Sequence, residues 1–183
     1  MTIRVPWLNR KFELDVPVEE APALLAELRG AVERLEGLVR PLPASVRTAR
    51  RGKKWSIQEN AGHLADLEEL HLGRLDDYDA HVDFLREADL SNRRTEEAGW
   101  NDAPVEDVLA AFRARRERLI ARLEALDPAR YAQAAIHPRL HVAMRIVDMM
   151  KFVVTHDDHH LATIAEAAAL AATPDASSPI PCK

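Results

Sequence analysis

The chain has 183 residues, 47% of them hydrophobic and 30% charged, with a net charge of -5 at neutral pH. That length and balance suit one globular domain with a sizeable core, and an acidic chain is a poor general nucleic-acid binder, which carries a basic stripe. The single cysteine, Cys182, rules out an internal disulfide framework and a Cys-ligated metal core.

In chain order, residues 1–17, "MTIRVPWLNRKFELDVP", combine two prolines with a β-branched bias and read as an irregular N-terminal arm. Helical spacing begins at Val18, with Leu24, Leu28, Val32, Leu35 and Val39 three or four residues apart. The prolines of "PLP", Pro41 to Pro43, end that first helix. The basic run "RTARRGKK", Arg47 to Lys54, reads as a solvated loop.

A second helix opens at "WSIQENAGHLADLEEL", where Ser56 and Glu59 have capping-box spacing, so Glu59 is explained as a cap. It extends to Tyr78, with Ala88 as its outer bound. After the loop "DLSNRRTEEAGWNDA", Pro104 suits the first turn of a third helix with Val105, Leu109, Phe112, Leu119 and Leu123 on its apolar face. "LDPARYAQAAIHP" breaks it, and a last helix runs from about Leu140 to Ala172. Residues 1–172 thus form a single domain, an all-α four-helix bundle. Residues 173–183, "TPDASSPIPCK", form a flexible tail. The chain shows no apolar leader, no span of ~20 apolar residues and no lipidation signal, which predicts a cytoplasmic protein without membrane contact.

The stretch "VVTHDDHHLATIAEA" sets three histidines and two aspartates within five residues. At 100° per residue with Met149 at zero, the apolar face centres near 50°, His160 falls at about 20° and His156 at about -20°. His159, at about -80°, falls on the polar side, and Asp157, at about 80°, falls among apolar neighbours. Asp157 reads either as a rim carboxylate or dimer contact, or as a catalytic general base or outer partner of a ligand. On the second helix, with Ile57 at zero, His63 sits at the edge of the apolar face near -120° and His71 lies nearer its centre, at about -40°. Asp66 points away from that face and ranks as a possible outer partner of a ligand.

A histidine pair at i, i+4 stacks two imidazoles one turn apart, so both reach one ion. Alone, that spacing is common on surface helices, and His63 alone reads as a partly buried, satisfied side chain. Together, three inward imidazoles are costly to bury unpaired, and one divalent metal satisfies all of them. Zinc, nickel or iron(II) suits such a set, and three protein ligands leave positions open to water or substrate. A protease of the H-E-x-x-H type is disfavoured, because Asp157 stands in the glutamate's place and a further histidine intervenes.

"KKWSIQENAGHLADLEE" resembles the W-S-x-x-E-x-x-x-H-L-x-D motif of the DinB/YfiT-like superfamily, and "THDDHHLATI" resembles its H-D-x-H-H-x-x-x-I signature. The resemblance spans the first helix to the last. It implies a bundle of up-down-down-up connection and a metal site formed by His63, His156 and His160. It further implies nickel or zinc as the ion, a homodimer and a small-molecule substrate. The activities it brings are transfer reactions that use a low-molecular-weight thiol as cofactor, with metal-dependent hydrolysis as the alternative. Arg50, Arg51 and Lys54 would then be candidates to hold carboxylates of the thiol. A non-catalytic dimer stapled by the metal is a further alternative.

Overall fold

The computed structural model describes residues 7–12 and 14–172, and the expected C-terminal tail lies outside them. Four long helices, α1 (Ala21–Val39), α3 (Ile57–Asp79), α5 (Val105–Glu124) and α6 (Ile146–Ala172), make the bundle. Short helices α2 (Ala44–Arg47) and α4 (Arg93–Glu97) lie in the connections, and a hairpin of β1 (Ala134–His137) and β2 (Val142–Arg145) precedes α6. No described helix is long and apolar enough to cross a membrane.

The helices begin and end where local chemistry dictates. α1 buries Leu24, Leu28, Val32, Leu35 and Val39 on one face. Ser56 and Glu59 exchange hydrogen bonds at the start of α3, satisfying donors that the first turn leaves free. Pro104 stands at the N-cap of α5, and Glu106 and Asp107 in its first turn complement the helix dipole. α3 ends at Asp79, one residue past the expected Tyr78 and short of the outer bound at Ala88. One boundary departs from the sequence-based expectation: α6 starts at Ile146 and not near Leu140, because residues 142–145 pair with β1. The described residues of the arm are irregular apart from a single 3-10 turn at Trp7–Asn9, and a second such turn at Val18–Glu20 leads into α1. The arm is nonetheless packed, with Trp7 4.9 Å from Phe12 and 5.1 Å from Phe152 between ring centroids.

Cross-helix pairs fix the directions. Arg29 meets Glu124 and Arg40 meets Glu106, so α1 and α5 are antiparallel. Arg34 meets Asp158 and the Val16 amide donates to Asp148, so α1 and α6 are parallel. Arg116 meets Glu68, and Arg122 meets Asp76 and Asp79, so α3 and α5 run together. The Asn60–His160 and Tyr78–Met144 hydrogen bonds make α3 and α6 antiparallel. The result is the up-down-down-up bundle. Because α3 and α5 are parallel, residues 80–104 must travel back along α3, a helix about 35 Å long at 1.5 Å per residue. That return carries α4 across the α3 face. It is pinned at its start by the Leu85 and Ile136 amides, which donate to the carbonyls of Ile136 and Asp83.

The apolar core has two parts. One joins Leu24 and Leu28 to Leu75, Leu119, Leu123 and Val153. The other joins Val32 and Leu35 to Leu64, Leu109, Phe112 and Ile164. Between them lies a polar layer centred on Arg116, which is wholly buried. Its guanidinium donates to Glu68 at 2.6 and 3.0 Å, to Asp157 at 2.6 and 3.1 Å and to the Leu28 carbonyl at 3.1 Å. One α5 side chain therefore binds all three other long helices. Burial pushes the Glu68 and Asp157 carboxyl groups above their ordinary range, and the guanidinium pulls them back.

Removing one partner of such a buried group leaves uncompensated charge. Arg116→Met is expected to lower unfolding stability by about 3–5 kcal/mol in urea denaturation. Combining it with Glu68→Leu and Asp157→Leu should recover much of that loss. A single variant as stable as the parent would show that the layer contributes little.

Candidate metal centre

The chain brings His63 of α3 together with His156 and His160 of α6. Each offers one nitrogen, and these nitrogens all lie within 4.8 Å of one another. The three rings are buried, with centroids 4.5 to 5.5 Å apart. The i, i+4 spacing stacks the α6 pair on the face turned to α3, and the antiparallel crossing sets His63 against it.

Hydrogen bonds fix the tautomers of two rings. Asn60 donates its amide nitrogen to the carbonyls of Ser56 at 2.8 Å and Trp55 at 3.4 Å, which leaves its oxygen facing His160 Nδ1 at 2.9 Å. An amide oxygen only accepts, so Nδ1 of His160 carries the proton and Nε2 keeps a lone pair. On α4, the Thr95 hydroxyl donates to Asp66 at 3.1 Å and therefore accepts from His63 Nδ1 at 3.1 Å. His63 thus also presents Nε2 as its acceptor. Asp66 additionally accepts from Trp100 Nε1 at 2.9 Å, and the return segment is seated there because Gly62 leaves room for the Trp100 ring, which a Cβ would overlap. Such outer partners hold a ligating imidazole in orientation and raise its basicity. The donor set thus suits a divalent ion: neutral imidazoles, held with lone pairs available.

Burial keeps His63 and His156 neutral. It pulls the His63 pKa down to about 4, partly offset by the Asp66 charge, and pulls His156 and His71 well below the usual histidine value. The cluster borders a cavity of about 530 Å³ walled by Trp7, Trp55, Leu67, Leu70 and Phe152. The indoles stand close to the ligand candidates, Trp55 4.6 Å from His63 and Trp7 4.9 Å from His156.

The other candidates fall elsewhere. Asp157 does not line the cavity, and both its oxygens are taken by Arg116. Asp66, read from the helical wheel as pointing away, is buried, because residues 80–104 cover that side of α3. His159 lies outside the three-histidine group but is not on the solvent side: it is half-buried, lines the cavity and sits 5.7 Å from Trp7, since the arm folds over that flank of α6. Arg50 is engaged by Glu59 and Glu96, and neither it nor Arg51 nor Lys54 lines the cavity. Sequence reasoning missed Asn60, Thr95, Trp7 and the hairpin residue His137. Asn60 alone had a usable signal, one turn before His63 and inside the same motif.

The DinB superfamily profile matches residues 23–164. Among solved structures, YfiT from Bacillus subtilis is similar at a TM-score of 0.77 and 19% identity, over 88% of this chain and 93% of that one. It is described as a probable metal-dependent hydrolase with an unusual four-helix bundle topology. A protein from Streptococcus pneumoniae is similar at a TM-score of 0.61 and 11% identity, over 88% and 91% of the two chains. No curated protein sequence matches the chain.

The histidine pKa values make stability depend on pH. Free imidazoles titrate near pH 6.5, so between about 6.5 and 4 the unfolded chain binds more protons at His63 than the folded one. Stability then rises with pH across that window, by up to about 1.4 kcal/mol per unit for each such histidine. The metal-free protein should hold a constant melting temperature above about pH 7 and lose it progressively towards pH 4. His63→Gln should flatten the slope, and identical slopes in both proteins would contradict the assignment.

Proposed function

The chain belongs to the DinB superfamily, and from that premise we propose that it is a metal-dependent enzyme in which His63, His156 and His160 ligate one divalent ion, nickel or zinc with iron(II) as a third candidate, to promote transfer involving a low-molecular-weight thiol. The observation that carries this reading is the buried group of three imidazoles, open to a cavity large enough for a small molecule. When bound, an ion held by three neutral ligands retains its full charge towards the cavity and lowers the pKa of an incoming thiol or water.

The protein's own residues do the rest. Asn60 and Thr95 hold Nδ1–H of His160 and His63, so neither ring can turn its lone pair away from the centre. Trp7 and Trp55 exclude water from the rings they cover, which strengthens electrostatic interactions at the site. Asp157, a candidate base by its position in the sequence, serves as a positioning residue: its pair with Arg116 sets the rotation of α6 and so the direction of His156 and His160. Thiol transfer requires no nucleophile from the chain, which agrees with a cluster made of histidines alone.

Hydrolysis is the second reading, favoured by the likeness to YfiT. The two differ in what the open side of the centre accepts. Thiol titrated into cobalt-substituted protein should produce a sulfur-to-metal absorption band; no band, together with ester cleavage that is independent of thiol, would establish hydrolysis instead.

Protein purified without added metal should carry a single divalent ion, measurable by mass spectrometry, and His63→Ala should lose it. Asn60→Leu removes the bond to His160 Nδ1, together with those to the Ser56 and Trp55 carbonyls, while leaving all three histidines in place, and should weaken metal affinity about 10–100-fold. Unchanged affinity would remove Asn60 from the site.

A further inference from the structure

Among the described residues two arginines are buried to 1% exposure or less, Arg74 and Arg116. Arg116 has two carboxylates and a carbonyl. Arg74 has no carboxylate within ion-pair distance among the described residues. It reaches only the Arg86 carbonyl, at 3.3 and 3.4 Å, longer than a well-formed hydrogen bond. Asp77, one turn away, is occupied on both oxygens by Arg86. A buried guanidinium in this state bears a desolvation cost without a matching counter-charge, and burial lowers its pKa to about 10, still charged at neutral pH.

Arg74 lines the same cavity as the histidine cluster. His63, Leu67, Leu70, His71 and Arg74 form one stripe along α3 at three- and four-residue steps. His71 is buried, and its Nδ1 has no hydrogen-bond partner. Opposite stands buried His137 from β1, whose Nδ1 accepts from the Leu140 amide at 3.3 Å, leaving Nε2 as the donor of a neutral ring. Arg139, also on the lining, likewise lacks a carboxylate among the described residues. The lining's two carboxylates, Glu87 and Asp89, are exposed, and Asp89 accepts from Ser91 and Arg93.

We propose that Arg74, with His71 and His137, forms an oxyanion subsite, so that the molecule reacting at the histidine cluster carries a carboxylate or phosphate roughly 12–17 Å from its reacting atom, the rise along α3 from His63 to His71 and Arg74. This rests on the reading of the cluster as the reaction centre. A guanidinium presents parallel donors that match either oxyanion in a two-bond arrangement, and the apolar wall of Leu67 and Leu70 between the ends accepts the body of a small molecule.

The test titrates inorganic phosphate and acetate into the protein and follows fluorescence from Trp7 and Trp55, with sodium chloride at equal ionic strength as control. A saturable response is expected, at least tenfold weaker in Arg74→Met and unchanged in Arg118→Gln, an exposed α5 variant. Tighter phosphate binding assigns a phosphate ester, and tighter acetate binding assigns a carboxylate. Because Arg74 has no counter-charge among the described residues, Arg74→Met should melt at or above the parent temperature in anion-free buffer. A clearly lower melting temperature, or a parent response no different from chloride, overturns the proposal. Repeating the titration on His63→Ala separates the two readings. An Arg74-dependent response in that metal-free protein supports the subsite even if the parent also proves to hold no metal; metal bound to a parent that does not respond to anions refutes the subsite alone.

Discussion

One buried guanidinium organises this bundle. Arg116 lies at mid-height, where the apolar core divides, and its donors reach α1, α3 and α6. A polar layer is a poor source of net stability, since desolvation offsets much of the Coulomb attraction. What it supplies is register. Leucines on facing helices can slide or rotate a little at small cost, but a guanidinium shared by two carboxylates and a carbonyl cannot. With Asp157 turned to Arg116, His156 and His160 are turned to α3, and Glu68 sets α3 to meet them.

The connection order places the rest of the site. Parallel α3 and α5 demand a long return, and residues 80–104 use it to bring Thr95 and Trp100 onto the outer flank of α3. Their contacts with His63 and Asp66 convert a half-exposed helix face into a buried one. The hairpin before α6 acts similarly at the other end. It brings His137 and Arg139 to the cavity and is tied down through the Tyr78 hydroxyl, which donates to the Met144 carbonyl at 2.8 Å. The cavity therefore draws on the arm, α3 with Trp55 just before it, the start of the return segment, the hairpin and α6.

Electrostatically the cavity is graded. At one end burial keeps His63 and His156 neutral. At the other, Arg74 brings a fixed positive charge that shares with Arg139 the work of lowering His137, whose pKa falls to about 4 with burial as the larger cause. Neither end contains a buried carboxylate. The buried acids among the described residues, Glu59, Asp66, Glu68, Asp148 and Asp157, are all turned to partners outside the cavity lining.

The helices and the inward pair His156 and His160 were legible in the sequence, because helical periodicity is local: a side chain's direction follows from its distance along the helix, and the apolar residues mark the buried side. The capping box at Ser56 was legible for the same reason. His63 needed a motif match, since a residue at the edge of an apolar face takes its burial from whatever covers it. Asp66 and His159 were read as outward-facing for the same lack, their covers being the return segment and the N-terminal arm. The boundary at Ile146 was invisible because a short strand depends on its partner across a turn. By itself the sequence determined which elements form and which faces carry histidine. Only the tertiary structure decided that Asp157 belongs to Arg116, that Asn60 and Thr95 set the tautomers, and that Arg74 meets no carboxylate among the described residues, because each depends on which distant side chains come within 4 Å.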